Sequence, residues 1–232
     1  MRGRTVVLGP GLLGGSLGLA LAEQGHQTVV WGRRPEPLEY LSSIAPSVLE
    51  TEVDLPKAVD GADLIVLATP IGIMPELLER LRVADALAPG VVITDVGSVK
   101  GPIVAHATGL LAGTGVHFVG SHPMAGSEAC GIEAARKDLF AGALCLITPV
   151  SGTEPDALTK VRDFWGALDM RVHEAPPEEH DAIVARISHM PHALASVVVG
   201  AALEQEPSWA AFSAGGLRDT TRVASGDPVM WA

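Results

Sequence analysis

Residues 6–21, VVLGPGLLGGSLGLAL, set Gly9, Gly11 and Gly14 in G-x-G-x-x-G spacing between a run that reads as a strand and a run that reads as a helix. Few folds use that arrangement. The first glycine permits a tight turn, the second lets backbone N–H groups approach a pyrophosphate, and the third lets helix and strand pack closely. The helix opening at Leu12 and Leu13 turns the positive end of its dipole toward the anion. A chance glycine turn is the bland alternative, but a strand before and a helix after favour a dinucleotide-binding βαβ unit.

The following residues keep the alternation. TVVLG (5–9), QTVVWG (27–32), DLIVLATP (63–70) and GVVITDVGS (90–98) read as strands, and residues 12–24 and MPELLERL (74–81) read as helices. Such spacing implies an α/β fold: a Rossmann-type, doubly wound, mostly parallel sheet. The near-continuous apolar run LIVLA fits a strand buried on both faces. HFVG (117–120), ALCLITP (143–149), a helix over about 155–167 and DMRVHEA (169–175) extend the same plan. At APPEEH (175–180) the character changes, and one long helix runs to about residue 204 with Pro191 inside it, where a bend is expected. No strand signal returns. The reading is a dinucleotide-binding α/β domain over 1–175 and an all-α domain over 176–232.

Cofactor choice turns on the end of the second strand. An NAD site places an acidic residue there, about 20 residues past the loop, to accept from the ribose 2′-OH. Here VVWGRRPE puts Gly32 at that position, followed by Arg33 and Arg34. A small residue followed by two guanidinium groups suits a 2′-phosphate, so NADP is expected, with NAD possible and solvated arginines as the plain alternative.

Composition excludes several partners. The net charge of −11 and the lack of any Lys/Arg cluster larger than Arg33–Arg34 argue against nucleic acid and anionic membranes. Cys130 and Cys145 show no metal or redox spacing, and the N-terminus is too short in its apolar part for a secretory signal, so a cytoplasmic protein with reduced thiols is expected. The longest apolar stretch, HALASVVVGAAL (192–203), falls short of a membrane span and reads as a buried helix.

Three stretches look like loops at carboxyl ends of strands: ATPIG (68–72) with Thr69 and Pro70 along the cofactor, TDVGSVKG (94–101), and GSHPMAGSEACG (120–131). Ser98 reads either as a helix N-cap or as a site residue. His122, just past the strand VHFV, is of the residue type suited to proton transfer near neutral pH, while Glu128 either orients it, gates the pocket or caps the turn. His189 and His192 lie three apart on a helix without a third ligand, so no metal site is expected.

Taken in order, GPGLLGGSLGLAL, DVGSVKG, GSHPMAGSEACG, ISHMPHALA and GGLRDTTRVASGDPVMW resemble the prephenate/arogenate dehydrogenases of tyrosine biosynthesis across nearly the whole chain. The resemblance implies oxidation at C4 of a cyclohexadiene, hydride transfer to a nicotinamide and loss of CO2. It assigns His122 as the base at the C4 hydroxyl, with Ser98 hydrogen-bonding near that histidine and the cofactor. Arg222 holds a substrate carboxylate with Asp219 fixing it, His192 contacts the substrate side chain supported by Ser188 and His189, and Trp231 lies near the pocket. Helix packing stays open for His189, and packing or disorder for Trp231.

Family members usually continue beyond that tryptophan, so a compact or shortened helical domain is expected, and its apolar helix implies a homodimer. A dehydrogenase for an amino-substituted prephenate and a non-catalytic NADP-binding homologue remain as alternatives. The β-hydroxyacid dehydrogenases are disfavoured, because they use a lysine in the helical part and all four lysines here (Lys57, Lys100, Lys137, Lys160) precede residue 175.

Overall fold

The structure is a computed structural model that describes residues 3–45, 47–83, 87–126 and 129–225. The chain divides into two compact units, residues 1–180 and 181–232.

In the first unit β1 (Thr5–Leu8), α1 (Leu12–Glu23), β2 (Thr28–Trp31), α2 (Pro35–Ile44), β3 (Leu49–Glu52), α3 (Leu55–Val59), β4 (Leu64–Leu67), α4 (Met74–Val83), β5 (Val92–Asp95), α5 (Gly101–Leu111) and β6 (His117–Phe118) follow one another. The strands form a six-stranded parallel sheet in the order β3-β2-β1-β4-β5-β6. Strand residues alternate between two cores. Val7, Val30 and Val66 point into one, with Leu17 and Leu21 of α1. Val6, Leu8, Val29, Ile65 and Leu67 point into the other, with Met74, Leu77 and Leu78 of α4 and Ile103 and Val104 of α5. Burial on both faces is the reason β4 is apolar at every position and β1 and β2 are apolar after their opening threonines. The chain reverses its winding between β1 and β4, and that switch opens a crevice at the carboxyl ends of the strands.

The expected continuation of this sheet is corrected in the structure. VHFV stays with the parallel sheet, its middle residues forming β6, and the chain beyond it leaves that sheet: β7 (Gly120–Pro123), β8 (Leu144–Thr148) and β9 (Arg171–Glu174) form a separate three-stranded sheet. In it β7 runs antiparallel to β8, and β8 parallel to β9. His122 therefore lies inside a strand, opposite Leu146, rather than in a loop just past VHFV. Pro123 is tolerated because β7 is an edge strand. The helix α6 (Pro155–Ala167) supplies Phe164 and Trp165 to the core that also holds α1. The sequence pattern gives no reading for α2, β3 or α3; β3 reads LETE and buries only Leu49, so it carries no apolar pattern.

The helical segment begins with α7 (Pro177–Val184), passes through a π-helical turn at Ala185–His189 and continues as α8 (Met190–Leu203). Pro191 offers no N–H and its ring would crowd the Ile187 carbonyl, and the widened turn just before it absorbs both effects. There the Met190 N–H donates to the Ala185 carbonyl, five residues back. A 3-10 stretch (Pro207–Phe212), α9 (Gly215–Thr221) and a 3-10 turn (Arg222–Ser225) complete the described part, and α8 packs against that last turn.

The expectation of a buried helix at 192–203 does not hold. In α8 only Ala195 is buried, and Met190, Leu194 and Val197 are 53%, 58% and 66% exposed along one stripe with Ile187. The continuous helix Pro177–Leu203 spans 27 residues, so by length and composition alone it is long and apolar enough to cross a membrane.

Candidate active site

At the end of β1, Gly9 adopts φ +122°, and a Cβ there would lie 2.6 Å from the Ala68 carbonyl oxygen. A Cβ on Gly14 would collide with the Gly9 carbonyl, whereas around Gly11 nothing lies within 4 Å of that position. The turn thus closes tightly onto β4 while leaving open space at its tip. Helix α1 starts there at Leu12 with no acidic residue in its first turn and no side-chain cap, so its N–H groups face no competing carboxylate. Thr69, just beyond β4, keeps a buried hydroxyl without a hydrogen-bond partner, followed by exposed Pro70. A glycine cradle, a helix N-terminus and an orphaned hydroxyl at the β1/β4 switch fit a dinucleotide phosphate.

Gly32 is buried, and a Cβ there would meet Pro10 Cγ at 2.7 Å and Cδ at 2.9 Å. The glycine loop itself therefore excludes a carboxylate side chain at the position that would contact a ribose 2′-OH. Arg33 and Arg34 follow, both exposed, immediately before α2.

A polar knot joins the carboxyl end of β5 to β7. Asp95, Lys100 and Ser121 are all fully buried. Lys100 Nζ donates to Asp95 Oδ2, and to the Ser121 carbonyl at 3.0 Å. Asp95 Oδ1 accepts from the Ser121 N–H at 3.1 Å, and Oδ2 accepts from the Gly97 N–H at 2.9 Å. The Ser121 hydroxyl donates to the Asp95 carbonyl at 2.5 Å and accepts from Trp165 Nε1 at 3.0 Å. Its remaining lone pair suits the Thr94 hydroxyl, 2.7 Å away. Every group in the knot has a partner, which is the condition for burying an ion pair without a large penalty.

The knot fixes the residue next to Ser121. His122 is half-buried, and its Nδ1 lies 2.9 Å from Nε2 of fully buried His180, the rings meeting edge to face at 62°. Beside it, burial pushes the Cys145 thiol well above its ordinary range, partly offset by a hydrogen bond with the His122 backbone. Ser98 is exposed in the bend between β5 and α5; the residue preceding α5 is Lys100, so Ser98 is not its N-cap.

In the second unit Ser188 and His189 occupy the π turn and His192 the first turn of α8, where its carbonyl accepts from the Ser196 hydroxyl at 3.1 Å. Arg222 begins the 3-10 turn that packs on α8. Glu128 and Trp231 lie outside the described residues. Among the described residues no cluster of three or more His, Cys, Asp or Glu side chains has metal-binding geometry.

The sequence reading missed Asp95, Lys100, Ser121, Trp165 and His180. The signal for the first two was present: an aspartate ends the otherwise apolar strand VVITD, with a lysine five residues on.

Residues 17–174 match the family model for the nucleotide-binding domain of prephenate dehydrogenase, and residues 176–232 match its dimerization domain. The chain belongs to the prephenate dehydrogenase family. It is 34% identical over 231 residues to the prephenate dehydrogenase of Lactococcus lactis, covering 98% of this chain and 63% of that protein. The chain thus spans less than two thirds of the length of that curated relative. The crystal structure of prephenate dehydrogenase from Aquifex aeolicus in complex with hydroxyphenyl propionate and NAD+ superposes with a TM-score of 0.86 at 28% identity, over 100% of this chain and 81% of the other. Synechocystis arogenate dehydrogenase superposes with a TM-score of 0.78 at 31% identity, over 98% and 81%. The match to the prephenate dehydrogenase dimerization domain extends over the exposed apolar helix α8.

Proposed function

We propose that the chain carries an NADP-dependent oxidative decarboxylation of prephenate or arogenate. The observation that supports it most is His122, a histidine clamped by the Asp95–Lys100–Ser121 knot at the carboxyl end of the nucleotide-binding sheet. Members of its family act on these cyclohexadienes, and oxidation at C4 needs a group that takes the hydroxyl proton.

Gly9, Gly11, Gly14 and the first N–H groups of α1, at Leu12 and Leu13, hold the dinucleotide phosphates, with Thr69 and Pro70 beside them. Arg33 and Arg34 pair with a 2′-phosphate, and the closed space between Gly32 and Pro10 supports NADP over NAD. When bound, the nicotinamide supplies the hydride acceptor. His122 accepts the proton from the C4 hydroxyl, and Ser98 hydrogen-bonds near it. Arg222 pairs with a substrate carboxylate, held by Asp219, and His192, with Ser188 and His189, contacts the substrate side chain. Electrons released from the departing carboxylate complete the aromatic ring. Glu128 and Trp231 are assigned to the substrate on motif alone.

The α8 stripe supports a homodimer in which a second copy covers Met190, Leu194 and Val197.

Purified protein mixed with prephenate or arogenate and NAD+ or NADP+ tests the reading through absorbance of the reduced nicotinamide. Reduction is expected with NADP+ and at least one substrate; silence in all four mixtures refutes the enzyme. His122→Asn is expected to lower kcat by about 10²–10⁴-fold, the usual weight of a general base. Arg222→Ala should instead raise KM by about tenfold or more, the cost of a lost charge-assisted pair.

A further inference from the structure

We infer that His180 is a positioning residue: it takes the Nδ1 proton of His122 and so reserves Nε2 of His122 as the basic nitrogen. The inference rests on the role proposed for His122.

Two imidazoles whose nitrogens lie 2.9 Å apart share one proton between them. If His180 donates, the proton of a neutral His122 resides on Nε2, and no basic nitrogen is left for a substrate hydroxyl. If His122 donates from Nδ1, its Nε2 keeps a lone pair, and His180 carries its own proton on Nδ1. Only the second arrangement lets His122 act as a base, because Nδ1 is already committed to His180.

The surroundings of His180 favour the same arrangement. It is fully buried in the first turn of α7, with its backbone N–H donating to the Pro176 carbonyl at 2.9 Å. Pro176 precedes that helix and Pro177 begins it, so the backbone that carries His180 is set at its start. Burial and the positive end of a helix dipole both oppose a cationic imidazole. A neutral His180 can accept, and an acceptor is what a working His122 needs. The arrangement parallels a carboxylate that orients a catalytic histidine, with a neutral ring in its place.

The test is the tautomer of His122, read from two-bond 1H–15N correlation spectra of the 15N-histidine-labelled full chain and assigned by the cross-peaks lost in His122→Asn. The expected result is a proton on Nδ1 and none on Nε2; a proton on Nε2 overturns the inference. Two variants provide the kinetic arm. His180→Gln keeps an amide oxygen near the Nε2 position and should hold kcat within about threefold, whereas His180→Leu should lower kcat by about 10–100-fold with KM unchanged, the usual weight of an outer partner that orients a working histidine. Equal losses in both variants, or none in His180→Leu, overturn it. If the wild type turns over no substrate, the proposed activity fails on its own, and the tautomer spectrum still decides the proton's position. If His180→Leu does not fold, the wild-type spectrum and His180→Gln carry the decision.

Discussion

At position 32 a single added carbon would lie 2.7 Å from Pro10 Cγ, and this contact links the phosphate loop to the ribose-recognition end of β2. Cofactor selectivity on this reading is a property of two residues. Gly32→Asp alone should fail to create an NAD site, because the side chain has no room; Gly32→Asp with Pro10→Ala should gain affinity for 5′-AMP measured by calorimetry. Replacing both Arg33 and Arg34 by Ser should weaken 2′,5′-ADP binding by about tenfold, a modest figure because both arginines are exposed to solvent. Unchanged 2′,5′-ADP affinity would remove the arginines from the site. These residues were readable in the sequence because they are local: the loop, the missing acid and the arginines lie within 26 residues of each other. What Pro10 does to Gly32 was not readable, since the contact joins two turns that only the β1–β2 pairing brings together.

Between elements, the join from β5 to β7 is where sequence reading stopped. An apolar run such as VHFV carries the same signal whether the chain after it continues in one sheet or crosses into a second. The choice is made by the Asp95 side chain capturing the Ser121 N–H, a contact across 26 residues. Lys100→Met should then cost about 3–5 kcal/mol in urea unfolding, because it strands the Asp95 carboxylate in a dry site. Ser121→Ala should cost about 2–3 kcal/mol by leaving the Trp165 N–H and the Thr94 hydroxyl without their partner. A loss under 1 kcal/mol for both would mean that the knot does not hold the strands together. The same sheet gives an independent check on burial. In the native protein Cys130, which is exposed, should react with Ellman's reagent, while Cys145, buried and held protonated, reacts only in denaturant.

On the scale of the whole molecule, composition flagged residues 192–203 as apolar but not what covers them. Apolar periodicity reports that a face avoids water; it does not distinguish cover by the same chain from cover by another copy. If a second copy covers the stripe, Leu194→Glu should convert a dimer to a monomer in sedimentation velocity without unfolding the first unit. A wild type that sediments as a monomer would refute the assembly.

Among the described residues of the second unit only Val184 and Ala195 are buried, too little apolar packing to offset the entropy of ordering the segment. On the proposed homodimer its folding would be a bimolecular event. In a calorimetric scan the lower-temperature transition, belonging to this unit, should climb as the protein is concentrated, while the transition of the nucleotide-binding unit stays where it is.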